Sequence, residues 1–439
     1  METIISLVGS VLSTFLKVFR IGSGNTWPGE IALKIEPHIL QKLVSRIQKG
    51  IIIVAGTNGK TTTSLMIKKI LEDHGYSVLH NKSGANLLNG VVSSFFADTR
   101  TSFDYAVFEV DENALPGVLA ALGKKNTTPI TLILLNLFRD QLDRYGEVDV
   151  IADKWEKALR TLPQSTTLVI NADDPQLSLI GRNISYPALY FGLDNELLYL
   201  PKMQHATDSI YCPICGKKLE FTGVYFSHLG DWKCTNCGFM KPTLSLTEKE
   251  IHSPLEGIYN RYNTLAATLV TKQCGISAKE IAASLKNFLP AFGRMEEVIY
   301  KGKKFKILLS KNPTGFNESI RTVLHSDQKG PLLMMLNDRI PDGTDVSWIW
   351  DVDFNQLNPF KNALIVSGDR GEDLLVCLKY SIDTYKEKVE KNLIRLDKQL
   401  DEAVDRVARS AKKDETIWIL ATYSAMLDVR KILTGRKIL

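Results

Sequence analysis

The segment Val54-Ala-Gly-Thr-Asn-Gly-Lys-Thr-Thr62 carries the residue types that a phosphate loop needs. Gly56 and Gly59 let the backbone N–H groups around Thr57 and Asn58 turn inward onto phosphate oxygens. Lys60 can place a positive charge on the β/γ-phosphates, Thr61 can offer a hydroxyl to Mg²⁺, and Thr62 follows at the start of a helical stretch. Ile51–Val54, short, apolar and β-branched, reads as the strand ahead of the loop, and Thr61 to about Glu72 as the helix after it. Val54 stands where the general GxxxxGK[ST] form has its first glycine.

A second constellation pairs Cys212-Pro-Ile-Cys215 with Cys234-Thr-Asn-Cys237, 18 residues apart, with Gly216 and Gly238 following the pairs. Each C-x-x-C sets two thiolates on one side of a tight turn, and the glycine lets amides approach sulfur. Four thiolates leave no open coordination position, so the expected zinc is structural. His205, His228 and His252 lie nearby and are expected at the surface. Clustered cysteines in a long chain point to a metal site in a reducing compartment, not to a disulfide framework. Cys274 and Cys377 sit in apolar, helix-like surroundings and read as buried structural thiols.

These groups must be positioned by a larger frame. Tyr105–Val110, Ile130–Leu135 and Thr167–Ile170 are further buried-strand candidates with helix-like segments between them, which implies a parallel sheet covered on both faces. Phe305–Leu309, Leu332–Leu336, Ala363–Ser367 and Ile417–Ala421 form a second series, with Val389 to Ala411 read as one long charged helix. The chain is therefore expected to be α/β. An N-terminal helical segment (1–45) leads into a central ATP-binding domain (46–290) carrying a ribbon insert (210–240), then a smaller C-terminal α/β domain (291–439).

The formal net charge is +5 over 439 residues. Within the insert, Lys217, Lys218 and Lys233 stand against Glu220 and Asp231, too little basic excess for a nucleic-acid partner. No apolar run is long enough to span a membrane. Ile4, Val8, Val11, Leu12, Phe15 and Phe19 can share one helical face, either packed on the protein's own surface or lying at a membrane interface. The absence of a basic n-region and a small-residue cleavage site argues against a signal peptide, so a cytoplasmic location is expected.

GTNGKTTT resembles the phosphate loop of the Mur ligase and folylpolyglutamate synthase superfamily, and further segments agree in order. Glu109, in FEVDE, stands where those ligases carry a Mg²⁺-binding glutamate. Asn171-Ala-Asp-Asp-Pro175 resembles their NADDP turn. Asn260 and Asn263, in YNRYN, resemble a helix start near the nucleotide. Arg294, in FGR, resembles an arginine that reaches the nucleotide at the domain junction. Two segments depart: Arg139-Asp-Gln-Leu-Asp143 lacks the histidine of a DHxD-like segment, and Leu309-Ser-Lys-Asn-Pro313 keeps only the NP of YAHNP. The cysteine insert occupies the region of the family's carbamylated lysine.

Together these features resemble the MurT branch, the ligase-like subunits of lipid II isoglutaminyl synthase. Further support comes from WPGEIAL at Trp27, LNLFRDQLDRYGE, and the stretch Asp342 to Asp353. The resemblance implies a Mur-ligase-like central domain with an inserted ribbon, a Rossmann-like C-terminal domain, and ATP, Mg²⁺ and structural Zn²⁺ as bound groups. It implies that ATP phosphorylates the α-carboxylate of the stem-peptide D-glutamate in lipid II, and that ammonia from a GatD-type glutaminase converts it to D-isoglutamine. Lys60 and Glu109 would then serve the chemistry. An aspartate in Asp345–Asp353, Asp351 first and Asp353 as the alternative, would face the partner's active site. The other reading is a stand-alone ATP-dependent amino-acid ligase of the Mur or folylpolyglutamate type.

Overall fold

A computed structural model describes residues 26–435 apart from 83, 124–125, 141–146, 206, 290–293 and 328–329. The expected helix over residues 4–21 lies outside the described residues. The first sheet contains β1 (Ile47–Ala55), β2 (Val78–His80), β3 (Phe103–Val110), β4 (Ile130–Leu134), β5 (Thr167–Asn171) and β6 (Ala188–Phe191). All its pairings are parallel, in the order β2-β3-β1-β4-β5-β6. From Ile51 to Ala55 β1 is a continuous apolar run because both of its faces are covered there. Ile51 and Ile53 enter one core layer, and Ile52 and Val54 enter the other. The second layer is closed by helices Lys60–Asp73 and Ile258–Gln273, which hold the phosphate loop and the Asn260–Asn263 turn against each other.

β7 (Glu220–Phe226) and β8 (Leu229–Lys233) form the antiparallel hairpin of the cysteine insert. The hairpin is fastened to the central sheet just beyond β5, where Trp232 Nε1 donates to Ala172 O (3.1 Å) and Gly230 N donates to Asp173 O (3.2 Å).

The second large sheet contains β9 (Arg294–Tyr300), β10 (Lys303–Leu309), β11 (Leu332–Met335), β12 (Leu364–Ser367), β13 (Ile394–Leu396) and β14 (Thr416–Ala421). Its order is β13-β12-β11-β14-β10-β9, parallel except for β9 at one edge. Alternate residues of β11 again divide between two layers, Leu332 and Met334 against Leu333 and Met335. The α/β class expected from the alternating pattern is thus observed.

Residues 389–411 do not form one helix. A helix ends at Glu390, Asn392 turns the chain at φ +55°, β13 pairs with β12, and a new helix runs Leu400–Ser410. The charges around Ile394 masked a three-residue edge strand. Only the later helix has an apolar face, through Ala403, Val404, Val407 and Ala408.

Among the described residues no helix is long and apolar enough to cross a membrane.

Candidate active site between the two sheets

The phosphate loop joins β1 to helix Lys60–Asp73, and its glycines are required twice over. Gly56 and Gly59 adopt φ of +144° and +91°. A Cβ on Gly59 would lie 2.1 Å from Asn263 Oδ1, and one on Gly56 would lie 2.9 Å from Leu135 Cβ. Asn136 braces the loop, accepting from Asn58 N at 2.9 Å through its side chain and from Thr57 N at 3.1 Å through its carbonyl. The Thr57 hydroxyl donates to Phe138 O. The loop is therefore built before any nucleotide arrives.

Parallel register sets Glu109 of β3 beside Val54 of β1, at the sheet edge where the loop begins. Asn81 fixes that strand end, accepting from Glu109 N (2.9 Å) and donating to Glu109 O (2.8 Å). Glu109 Oε2 and Thr61 Oγ1 are both buried with no hydrogen-bond partner among the described residues. Leaving such atoms dry and unpaired costs free energy. A hard cation with oxygen ligands suits both, so the residues present fit Mg²⁺.

Lys60 Nζ donates to Glu112 Oε2 at 2.9 Å and to Gly56 O at 2.5 Å. Glu112 is only 2% exposed and was missed in the sequence, being the second glutamate of FEVDE. Burial alone would raise its carboxyl, but Lys60 and Lys311 together hold it below the usual carboxylate range. Lys311 comes from the opposite sheet, just after β10, and pairs with Asp140. Burial pushes the Asp140 carboxyl up against the pull of Lys311. Neither Lys311 nor Asp140 was given a role from the sequence, and the signals were the two departing segments that hold them, LSKNP and RDQLD.

Asn260, Asn263 and Arg294 face the loop across the same cleft, with Asn58, Gly59 and Thr62 on the other wall. Asn263 Oδ1 accepts from the Thr63 hydroxyl at 3.3 Å and its amide donates to Asn260 Oδ1 at 3.1 Å. Burial lowers the Arg294 guanidinium from its ordinary value, and the nearby Glu109 opposes that shift. Asn58, Gly59, Thr62, Asn260, Asn263 and Arg294 line one cleft, and Gly56, Thr57, Lys60, Thr61 and Glu109 belong to the loop, helix start and strand end behind its wall. The arrangement can cradle a nucleotide's phosphates and hold a divalent cation beside them.

Asp351 lies elsewhere, ending a short 3₁₀ turn over Ser347–Asp351. Its side chain is 43% exposed and meets Arg139 Nη1 at 3.4 Å. Asp353 is committed internally: it pairs with His205 Nδ1 at 3.0 Å and accepts from Asn317 Nδ2 at 3.1 Å. Of the two, Asp351 is the more exposed, with Arg139 as its charged partner.

Cys212, Cys215, Cys234 and Cys237 converge, with their sulfurs all within 4.8 Å of one another. The closest approaches are 3.6 Å (Cys212–Cys237) and 3.5 Å (Cys215–Cys234). Two matching knuckles carry them: Gly216 N donates to Cys212 O and Gly238 N to Cys234 O, with both glycines at positive φ. Sulfurs near 3.6 Å apart suit a tetrahedral ion with zinc–sulfur bonds of about 2.3 Å, so the donor set fits Zn²⁺. His228 corrects an expectation: it is wholly buried, lying between Asp174 (3.4 Å) and the Phe138 ring. The tight turn between β7 and β8 directs it inward. His205 is exposed, with Asp353 as its partner.

The Mur ligase middle domain family matches residues 54–271, and the MurT ligase C-terminal family matches residues 309–426. The subunit MurT of lipid II isoglutaminyl synthase (glutamine-hydrolyzing) from Staphylococcus aureus strain COL is 32% identical over 374 residues, covering 81% of this chain and 83% of that protein. The subunit of the same name from Streptococcus pneumoniae strain R6 is 30% identical, covering 100% and 98%. Among solved structures, a pseudomurein peptide ligase type C from Methanothermus fervidus superposes with a TM-score of 0.65 at 22% identity, covering 91% of this chain and 81% of that one. The MurF ligase of Thermotoga maritima, in complex with ADP, gives 0.62 at 14% identity, covering 92% and 83%.

Proposed function

The chain belongs to the MurT family, and from that premise we propose that it is the ATP-using subunit of an enzyme that amidates lipid II. The substrate group is the α-carboxylate of the stem-peptide D-glutamate, and the product is D-isoglutamine. The observation that carries the reading is the pair of unpaired buried oxygens, Thr61 Oγ1 and Glu109 Oε2, beside the Lys60 ammonium at a preformed phosphate loop.

A carboxylate becomes an acyl electrophile only once one of its oxygens is turned into a leaving group. Here that oxygen bonds to the γ-phosphorus of ATP as the bond to the β–γ bridging oxygen breaks, releasing ADP. Ammonia nitrogen then bonds to the acyl carbon, phosphate leaves, and the nitrogen loses one proton. Little covalent chemistry falls to the protein, whose task is placement and charge. Lys60 must exchange Glu112 for the phosphates when they arrive. Thr61 and Glu109 would hold Mg²⁺, which neutralises phosphate charge when bound. Asn260, Asn263 and Arg294 close the nucleotide side.

The ammonia comes from a GatD-type glutaminase. Asp351 supports this, with a side chain 43% exposed at the end of its turn. Beside it Trp350 (56% exposed) and Tyr380 (73%) pack with ring centroids 6.4 Å apart, an aromatic patch suited to a protein partner. A carboxylate from this chain would hold the partner's catalytic imidazole in orientation. The four cysteines would bind one structural zinc, which ties the two knuckles together. ATP and reduced thiols both ask for the cytoplasm, with the lipid-linked substrate met at the inner face of the membrane.

The test is reconstitution of this chain with its glutaminase, lipid II, ATP and Mg²⁺. Mass spectrometry should show the acid converted to the amide, with glutamine or ammonia as nitrogen source and one ADP per amide. Turnover with free amino acids and none with ammonia would refute the reading.

A further inference from the structure

The phosphate loop brings one lysine to the cleft, and the opposite lobe brings another that the nucleotide does not require. Lys311 follows β10. Its neighbour Asn312 caps helix Pro313–His325 by accepting from Gly315 N at 2.8 Å, and its amide reaches Asn58 Oδ1 in the phosphate loop at 3.4 Å. Lys311 is thereby fixed opposite the loop and lines the same cleft. Its partner Asp140 has a side chain only 2% exposed, while the lysine side chain stays 30% exposed. The second oxygen of Asp140, Oδ1, is buried with no hydrogen-bond partner among the described residues. The pair is thus a cation held towards the cleft by a carboxylate that is itself half-satisfied.

Lys60, Thr61 and Glu109 all arise from the central sheet and serve the nucleotide side, and Arg294 lies under the pull of Glu109. A carboxylate that attacks a triphosphate is an anion approaching an anion. It needs a cation of its own, on the far wall, that touches both the attacking oxygen and the charge developing on phosphorus. Lys311 is the lysine that the C-terminal lobe presents on that wall.

We propose that Lys311 is a catalytic residue that binds the acceptor carboxylate. Its ammonium exchanges Asp140 for one oxygen of the incoming carboxylate while the other oxygen bonds to the γ-phosphorus and ADP departs. It then stays on the acyl phosphate until ammonia displaces phosphate. No proton moves in the first step, and charge-assisted bonds of this kind are the strong ones in a poorly hydrated cleft. The inference rests on the acyl-phosphate reading of the preceding subsection.

The experiment uses the full chain with its glutaminase present, ammonia supplied, and hydroxylamine added to trap acyl phosphate as hydroxamate. Lys311→Gln should lower kcat/KM for lipid II about 100-fold, while nucleotide affinity, read by an ATP-dependent shift in Tm, changes less than about threefold. Lys311→Arg should recover part of the loss. Asp140→Asn, which removes the competing anion, should lower the KM for lipid II where Lys311→Gln raises it. Lys311→Gln with wild-type hydroxamate yield would overturn the proposal. So would equal rises in KM for both variants, because the pair would then be a strut between lobes. Folding is checked by Tm, and Lys311→Met supplies a second neutral variant of similar volume. A wild-type chain that forms no hydroxamate would overturn the acyl-phosphate reading itself, and this inference with it.

Discussion

The nucleotide cleft and the cysteine ribbon are both built from loops with glycines at positive φ, yet they satisfy their polar atoms in opposite ways. In the ribbon, each knuckle closes on itself through Gly216 N to Cys212 O and Gly238 N to Cys234 O, and four sulfurs face one point. In the cleft, Thr61 Oγ1, Glu109 Oε2 and Asp140 Oδ1 stay buried and unpaired among the described residues, and two lysines share three carboxylates, Glu112, Asp140 and Asp111. A closed donor set holds a fold together. An open one lowers stability and keeps groups ready for charges that arrive with substrate.

The contrast breaks most visibly at the cleft. Lys60→Ala and Glu109→Ala should each cost two or more decades in amidation, on the order of 3 kcal/mol or more in the barrier. Neither should disturb the fold, and Glu109→Ala should leave Tm unchanged or raised, because it deletes an unpaired buried carboxylate. A large loss of Tm in that variant would mean that Glu109 is structural. The ribbon should behave the other way. Cys212→Ser or Cys237→Ser should remove about one zinc per chain by metal analysis and about 2 kcal/mol of stability by denaturant unfolding. ATP-dependent turnover per folded molecule should survive, and freshly purified protein without zinc would contradict the assignment.

A smaller and more selective effect is expected at the turn over Ser347–Asp351. Asp351→Asn should cut glutamine-dependent amidation about tenfold or more, with ammonia restoring product. Asp353→Asn should instead act on stability, because it disturbs the His205 and Asn317 contacts. If Asp353→Asn alone stops glutamine use, the role moves two residues along.

The mildest test concerns pH. Burial raises the Glu318 carboxyl from 4.5 to about 7, against the opposing pull of Arg321. Its folded form therefore holds the proton more tightly than the unfolded chain. Its contribution is fully present below pH 4.5 and is lost as pH rises through about 7. Glu318→Gln should leave stability at low pH nearly unchanged and gain on wild type above pH 7, read as the difference in Tm across that window. A constant difference at all pH values would refute the shift.

What was legible in the sequence was what is contiguous in it. The phosphate loop and the C-x-x-C pairs announce themselves because one turn must hold all their groups. The inner four strands of each large sheet were visible as apolar runs, whereas the outer strands β2, β6 and β9 were not read. Glu112, Asp140 and Lys311 were not legible, because their meaning arises only through pairing, Glu112 with Lys60 at a separation of 52 and Lys311 with Asp140 at 171, across the two lobes. His228 looked like a surface residue because hydropathy cannot see that the β7–β8 turn points inward. β13 was hidden because an edge strand of three residues among lysines has no period to read. Asp351 and Asp353 sit in one short stretch, and what tells them apart is visible only in three dimensions: Arg139 meets the first, His205 and Asn317 the second.

The proposed reaction joins a carboxylate oxygen to the γ-phosphorus of ATP in the cleft between the two sheets. Lipid II labelled with heavy oxygen in the D-glutamate carboxylate tests it most directly. With glutaminase, glutamine, ATP and Mg²⁺ present, the phosphate released should carry one heavy oxygen for each amide formed, and Lys60→Ala should release none. Amide formed with wholly unlabelled phosphate would contradict the account.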